Sequence, residues 1–160
     1  MKVLLPLLLV ALVAGCGAPT SQHSTPETHS EAALSISDAW ASPTPAGVDV
    51  SAGYLVISNH AAVADHLLTA TSPRSERVEV HEMTMDGTVM QMRAVDRLEI
   101  PAGSDVEFGP GGMHLMFIGV ADPFTEGQNV PVRLVFETAG PIDVTLPVRP
   151  RGASSHDHGG

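Results

Sequence analysis

A chain of 160 residues is long enough for one domain with tails, and 43% hydrophobic against 16% charged residues excludes a charge-rich disordered chain. Its 15 Gly and 13 Pro are too few and too aperiodic for a fibrous repeat. Eighteen acidic residues against eight Lys and Arg give a formal net charge of -10, which argues against a nucleic-acid binder.

The N-terminus reads as an export signal. Met1-Lys2 supplies one positive charge, Val3 to Val13 is an apolar run broken only by Pro6, and small residues follow. The run is too short to span a bilayer comfortably, and the order of charge, apolar stretch and small residues is that of a secretory leader. Val13-Ala14-Gly15-Cys16 resembles a bacterial lipobox, in which cleavage leaves Cys16 as the first mature residue with an acylated thiol. Cys16 is the one Cys of the chain, so the mature protein forms no internal disulfide in a compartment that would permit one. Residues 1–16 are therefore expected to be a lipoprotein signal and Cys16 the lipidation site. Residues 17–33, rich in Ser, Thr, Pro and Glu and carrying His23 and His29, read as a flexible tether.

Residues 34–150 read as a single all-β domain. Short apolar or alternating runs recur between Gly, Pro, Asn and Asp punctuation: Leu34–Trp40, Gly53–Ser58, His66–Thr71, Arg77–Met83, Thr88–Val95, Asp105–Phe108, His114–Val120, Val130–Glu137 and Ile142–Val148. Asp86-Gly87 between two of them signals a hairpin. No segment keeps a 3.6-residue apolar period for the length of a helix, and the spacing predicts an antiparallel sandwich. Residues 151–160 are small and polar, and end in His156-Asp157-His158-Gly-Gly. They read as a flexible tail in which His156 and His158 would hold a second metal ion weakly or stay solvated.

Apart from the initiator, all six Met fall between Met83 and Met116, in the company of His81 and His114. Met often fills gaps in a core, and a Met-rich core is the plainer account of thioethers in strands. Clustering and the accompanying imidazoles point beyond packing. Side chains two apart along a strand project from the same face about 7 Å apart. Parity therefore puts His114 with Met116, His81 with Glu79 and Met83, and Met90 with Met92. A His from one strand, a Met from its hairpin partner and a His-x-Met from a third can converge. Uncharged imidazole and thioether donors are poor ligands for Ca²⁺ or Mg²⁺, and structural zinc prefers thiolate. Soft thioethers with imidazole select Cu(I).

The spacing His81-x10-Met92-x21-His114-x-Met116 resembles that of the periplasmic copper chaperone family known as PCuAC. The likeness extends to Asp38-Ala39-Trp40-Ala41, Gly53-Tyr54-Leu55-Val56-Ile57-Ser58-Asn59, Val80-His81-Glu82, Leu98-Glu99-Ile100-Pro101-Ala102-Gly103 and Pro110-Gly111-Gly112-Met113-His114-Leu115-Met116. The resemblance implies a cupredoxin-like β-sandwich that binds one Cu(I) per domain through His81, Met92, His114 and Met116. It further implies a chaperone that passes copper to the Cu(A) centre of cytochrome c oxidase, directly or through a thiol-containing assembly factor. The alternative is a copper sequestration or resistance protein of the cell envelope with no dedicated recipient.

The remaining residues have plainer readings. Met83, Met85, Met90 and Met113 are expected to be packing or an apolar rim, His60 and His66 surface or turn residues, and Trp40 and Tyr54 core aromatics. No nucleophilic constellation or phosphate loop is present in the sequence, so no enzyme is expected, and a blue-copper carrier would need a Cys ligand inside the domain. The expected protein is a monomer on the extracytoplasmic side of the envelope, touching the membrane through its lipid alone.

Overall fold

The computed structural model describes residues 33–150; the leader, Cys16, the tether and the tail with His156 and His158 lie outside the described residues. Ten strands follow in order, with no helix among the described residues: β1 (Leu34–Ala41), β2 (Val50–Asn59), β3 (Asp65–Thr71), β4 (Arg77–Asp86), β5 (Val89–Ala94), β6 (Leu98–Ile100), β7 (Asp105–Phe108), β8 (His114–Ile118), β9 (Asn129–Phe136) and β10 (Gly140–Pro147). Nine of the ten coincide with the runs read from the sequence to within a few residues at their ends. The tenth, β6, has three residues, too short to display an alternation.

Every strand pair is antiparallel, and the main path runs β1-β2-β8-β4-β3-β9-β10. Two groups of strands face each other across the core, β1-β2-β8-β4 and β3-β9-β10. They join through one register pair, Ala70 with Val78, and through a parallel bridge between Ala41 and Val148 that nearly closes the sheet. The result is the antiparallel, cupredoxin-like β class, a sandwich whose corners touch.

Alternation explains which residues make the core. In β9, Val130, Val132, Leu134 and Phe136 are buried while the intervening Asn129, Pro131 and Arg133 are exposed. Val78 and Val80 of β4 and Leu115 and Phe117 of β8 face them from the other layer, with Leu55 and Ile57 of β2. The opposite face of β4 and β8 is thus turned away from the core, and it is there that the polar and sulfur-bearing residues of these strands project.

One detail of β2 positions the site. Its far edge is shared by two collinear strands: Val50–Gly53 pairs with β8, and Leu55–Ser58 pairs with β7. At the level of Tyr54 the chain leaves this edge in a tight excursion, closed by Gly112 N–H donating to the Gly109 carbonyl (3.1 Å) and Gly109 N–H donating to the Met113 carbonyl (2.9 Å). Gly111, at φ 85°, takes a left-handed conformation that other residues adopt at a cost. His114 is the first residue back on the sheet.

Candidate metal centre

His81 and His114 are directly opposite each other in the β4–β8 register, and Glu79 is opposite Met116. All four project from the outer face, because their neighbours Val78, Val80, Leu115 and Phe117 occupy the inner one. The imidazole centroids of His81 and His114 lie 5.8 Å apart with the rings tilted by 59°. On the other side of β4, the hairpin to β5 places Met83 opposite Met92 and Met85 opposite Met90. The turn is the two-residue loop Gly87-Thr88 between paired Asp86 and Val89, with Gly87 at φ 63°.

Met92, His114 and Met116 line one cavity of about 720 Å³, together with Met83, Tyr54, Ala52 and the prolines Pro43, Pro45 and Pro150. Three of the four residues marked by the sequence pattern thus share a cavity, and the fourth, His81, lies against the ring of His114. His114 is almost fully buried, Met116 partly so, and Met92 is about half exposed, at 49%.

Hydrogen bonds decide which nitrogen of each imidazole carries its lone pair. His81 Nε2 is 2.7 Å from Glu79 Oε2. An ionised carboxylate only accepts, so Nε2 carries the proton and the lone pair of the neutral ring is on Nδ1. That Nδ1 is buried and has no hydrogen-bond partner among the described residues. A buried basic nitrogen without a donor is costly unless something electrophilic meets it, and a soft cation does so. Glu79 is in turn held by Arg77 (Nε to Oε1, 2.8 Å). The hydrogen bond from His81, assisted by the Arg77 charge, holds the Glu79 carboxyl below its usual range against the opposing effect of burial. His114 donates from Nδ1 to the Gly112 carbonyl at 3.2 Å, leaving its lone pair on Nε2. The same carbonyl accepts from the backbone N–H of Met83 (3.3 Å), so one atom ties the β4 hairpin to the His114 ring.

Among the described residues no three His, Cys, Asp or Glu side chains come together as a metal cage. A site here must recruit sulfur from Met, which suits soft monovalent ions and not hard divalent ones.

One sequence expectation is corrected. Trp40 is only partly buried and lies outside the core, whereas Tyr54 is buried, as expected. A bulge between Ser37 and Trp40 shifts the β1 register, with Asp38 at φ 50°, and turns Trp40 to the outer face opposite Tyr54. Their rings meet at 4.4 Å, with the Arg149 guanidinium over Trp40, and Tyr54 becomes part of the cavity wall. Of the Met residues expected to pack or to form an apolar rim, Met113 packs against the core and Met85 and Met90 are exposed on the β4–β5 hairpin. Glu79 shares the outer face with His81, as strand alternation predicts, and their two-residue spacing is what brings the carboxylate within hydrogen-bond reach of the ring. His60, bonded to Ser35, and His66, beside Glu137, are remote from the cavity walls, as expected.

Comparison with known proteins adds the following. A sequence family described as "Putative lipoprotein LpqE-like" matches residues 34–148. The "Putative lipoprotein Lxx21020" of Leifsonia xyli subsp. xyli is 28% identical over 128 residues, covering 79% of this chain and 76% of its own. Among solved structures, a copper-bound PCuAC domain from PmoF2 superposes with a TM-score of 0.64 at 23% identity, over 74% of this chain and 93% of its own. The solution structure of CuI-DR1885 from Deinococcus radiodurans gives 0.60 at 23% identity, over 74% of this chain and 81% of its own. These structural likenesses establish the fold.

Proposed function

Since the chain belongs to the LpqE-like lipoprotein family and has the fold of the PCuAC domains, we propose that it is a lipid-anchored, extracytoplasmic Cu(I) chaperone. In this reading His81, Met92, His114 and Met116 hold one Cu(I), Cys16 carries the lipid, and copper goes to the Cu(A) centre of cytochrome c oxidase or to a thiol-containing assembly factor. The observation that carries it is the meeting of Met92, His114 and Met116 in one cavity, beside a His81 whose lone-pair nitrogen is buried without a hydrogen-bond partner among the described residues.

The cargo moves by ligand exchange. His114 and Met116, two residues apart on one strand, form the rigid half of the site, and His81 is fixed by Glu79. Met92, half exposed on an edge strand, is the ligand that leaves. A recipient thiolate forms a sulfur–copper bond as the Met92 sulfur–copper bond breaks. Copper stays Cu(I) throughout, so the step needs no reductant.

Every core residue among the described residues lies between Leu34 and Val148, so a chain of residues 17–160 carries the whole described fold. Titration of this chain with Cu(I) against a chromophoric competitor, without oxygen, is expected to give one tight equivalent. The double variant His114→Ala/Met116→Ala is expected to lose it; equal binding by both chains would reduce the Met cluster to packing. A deletion strain then separates delivery from storage. Loss of oxidase activity at low copper supports delivery, and copper sensitivity with normal oxidase supports sequestration.

A further inference from the structure

Four of the seven large hydrophobic side chains exposed on the described surface sit on one hairpin: Met85, Val89, Met90 and Met92. Met85 and Met90 are 62% and 57% exposed. Strand β5 pairs with β4 alone, and all six of its residues are exposed, so no core asks for these thioethers. Strand propensity does not ask for them either, since β-branched and aromatic residues suit such positions better. The other face of the hairpin is ordinary, with Thr84 opposite Gln91 and an ion pair between Glu82 and Arg93.

Register puts the sulfurs in ranks. Met85 is opposite Met90, and Met83 is opposite Met92, on the face that carries His81. Opposed Cβ atoms are about 5 Å apart, and three rotatable bonds let both sulfurs of a pair reach one ion. Each rank is two residues from the next, about 7 Å along the strand. The ranks run from the hairpin tip inward to the cavity wall, where Met83 and Met92 already stand.

We propose that Met85 and Met90 form a second, outlying site for a soft monovalent cation, a boarding point from which the ion passes to Met92 and the central cavity. The inference rests on the Cu(I) reading of that cavity and extends it outward. Transfer inward is again ligand exchange: a bond to the Met90 sulfur breaks as one to the Met92 sulfur forms, with no change of oxidation state. The thioether is the working group, so Leu, which keeps the apolar surface and removes the sulfur, is the discriminating substitution.

The test uses the chain of residues 17–160 with ¹³C-labelled Met methyl groups and Ag(I), a redox-inert soft ion. The first equivalent is expected to shift the methyls of Met92 and Met116, and further Ag(I) those of Met85 and Met90. In stopped-flow loading with Cu(I), Met85→Leu/Met90→Leu is expected to slow uptake on the order of tenfold, since an outlying capture point raises the local ion concentration. Its affinity for the first equivalent is expected to be unchanged. A first equivalent that leaves Met92 and Met116 unmoved overturns the central reading and this one together. A normal first equivalent with silent Met85 and Met90 methyls, and wild-type loading by the Leu variant, overturns this inference alone. Slow loading by Met85→Ala/Met90→Ala but not by the Leu variant also overturns it, because the patch would then be an apolar contact.

Discussion

The imidazole of His81 is held by a short chain of charges. Arg77 grips Glu79, Glu79 accepts a hydrogen bond from Nε2 of His81, and Nδ1 is buried without a hydrogen-bond partner among the described residues. Partners of this kind orient a ligand and raise its basicity, and removing one commonly costs ten- to a hundredfold in metal affinity. Glu79→Ala is therefore expected to weaken Cu(I) binding about tenfold by competitor titration, with Glu79→Gln recovering much of the loss because an acceptor remains. The melting temperature of the metal-free protein is expected to stay near wild type, since Glu79 and Arg77 are screened by solvent. A matching fall in stability would assign Glu79 a structural role. At this scale the sequence was a good guide to which side chains share a face. Alternation alone put His81, Glu79 and Met83 together, and the spacing marked Met92, His114 and Met116. Trp40 escaped it, because the bulge before Trp40 reverses parity and the Ser-Asp-Ala-Trp segment has no Gly or Pro to announce it.

Among the elements, β3 shows how a buried carboxylate fastens strands together. Asp65, at its first residue, accepts hydrogen bonds from the backbone N–H groups of Thr138 (2.9 Å), Ala139 (2.8 Å) and His66 (2.7 Å). It thereby anchors the β9–β10 turn to β3. Burial alone would raise the Asp65 carboxyl, but these donors outweigh it and hold its ionisation below the usual carboxylate range. A lowered folded-state value stabilises the fold above the unfolded-state value, and that contribution is lost as pH falls through the lowered one. Asp65→Asn is thus expected to cost about 1–3 kcal/mol at pH 7, from charge-assisted bonds weakened or left unmade. Urea unfolding at pH 7 and at pH 3 would check it: the gap between wild type and variant should narrow in acid, and a constant gap would contradict this account. The hairpin of β4 and β5 was legible from Asp86-Gly87. The collinear run of β7 and β8 along β2 was not, because it depends on two strands far apart in sequence sharing one edge.

Across the whole molecule the two strand groups meet closely at Gly53. A Cβ there would stand 2.8 Å from Leu146 Cδ2 and 2.8 Å from Phe117 Cε2, atoms contributed from opposite sides of the core. Gly53→Ala must push the layers apart or force both side chains off their rotamers, at about 1–3 kcal/mol. Denaturant unfolding is expected to show that loss, while Cu(I) stoichiometry in the folded fraction stays at one. A variant as stable as wild type would mean that the layers adjust freely.

The sheet keeps its apolar residues on one side and the proposed ligands on the other. Of the four, only His114 counts among the buried residues, and none belongs to the apolar core. Folding and cargo therefore draw on separate sets of side chains. In small metal-folded domains the ion is itself the core, and removing it unfolds the chain. Here the apolar core is built without the proposed ligands. Such a molecule is expected to keep its fold when its site is empty, escaping proteases through a shortage, and to give up its load without coming apart.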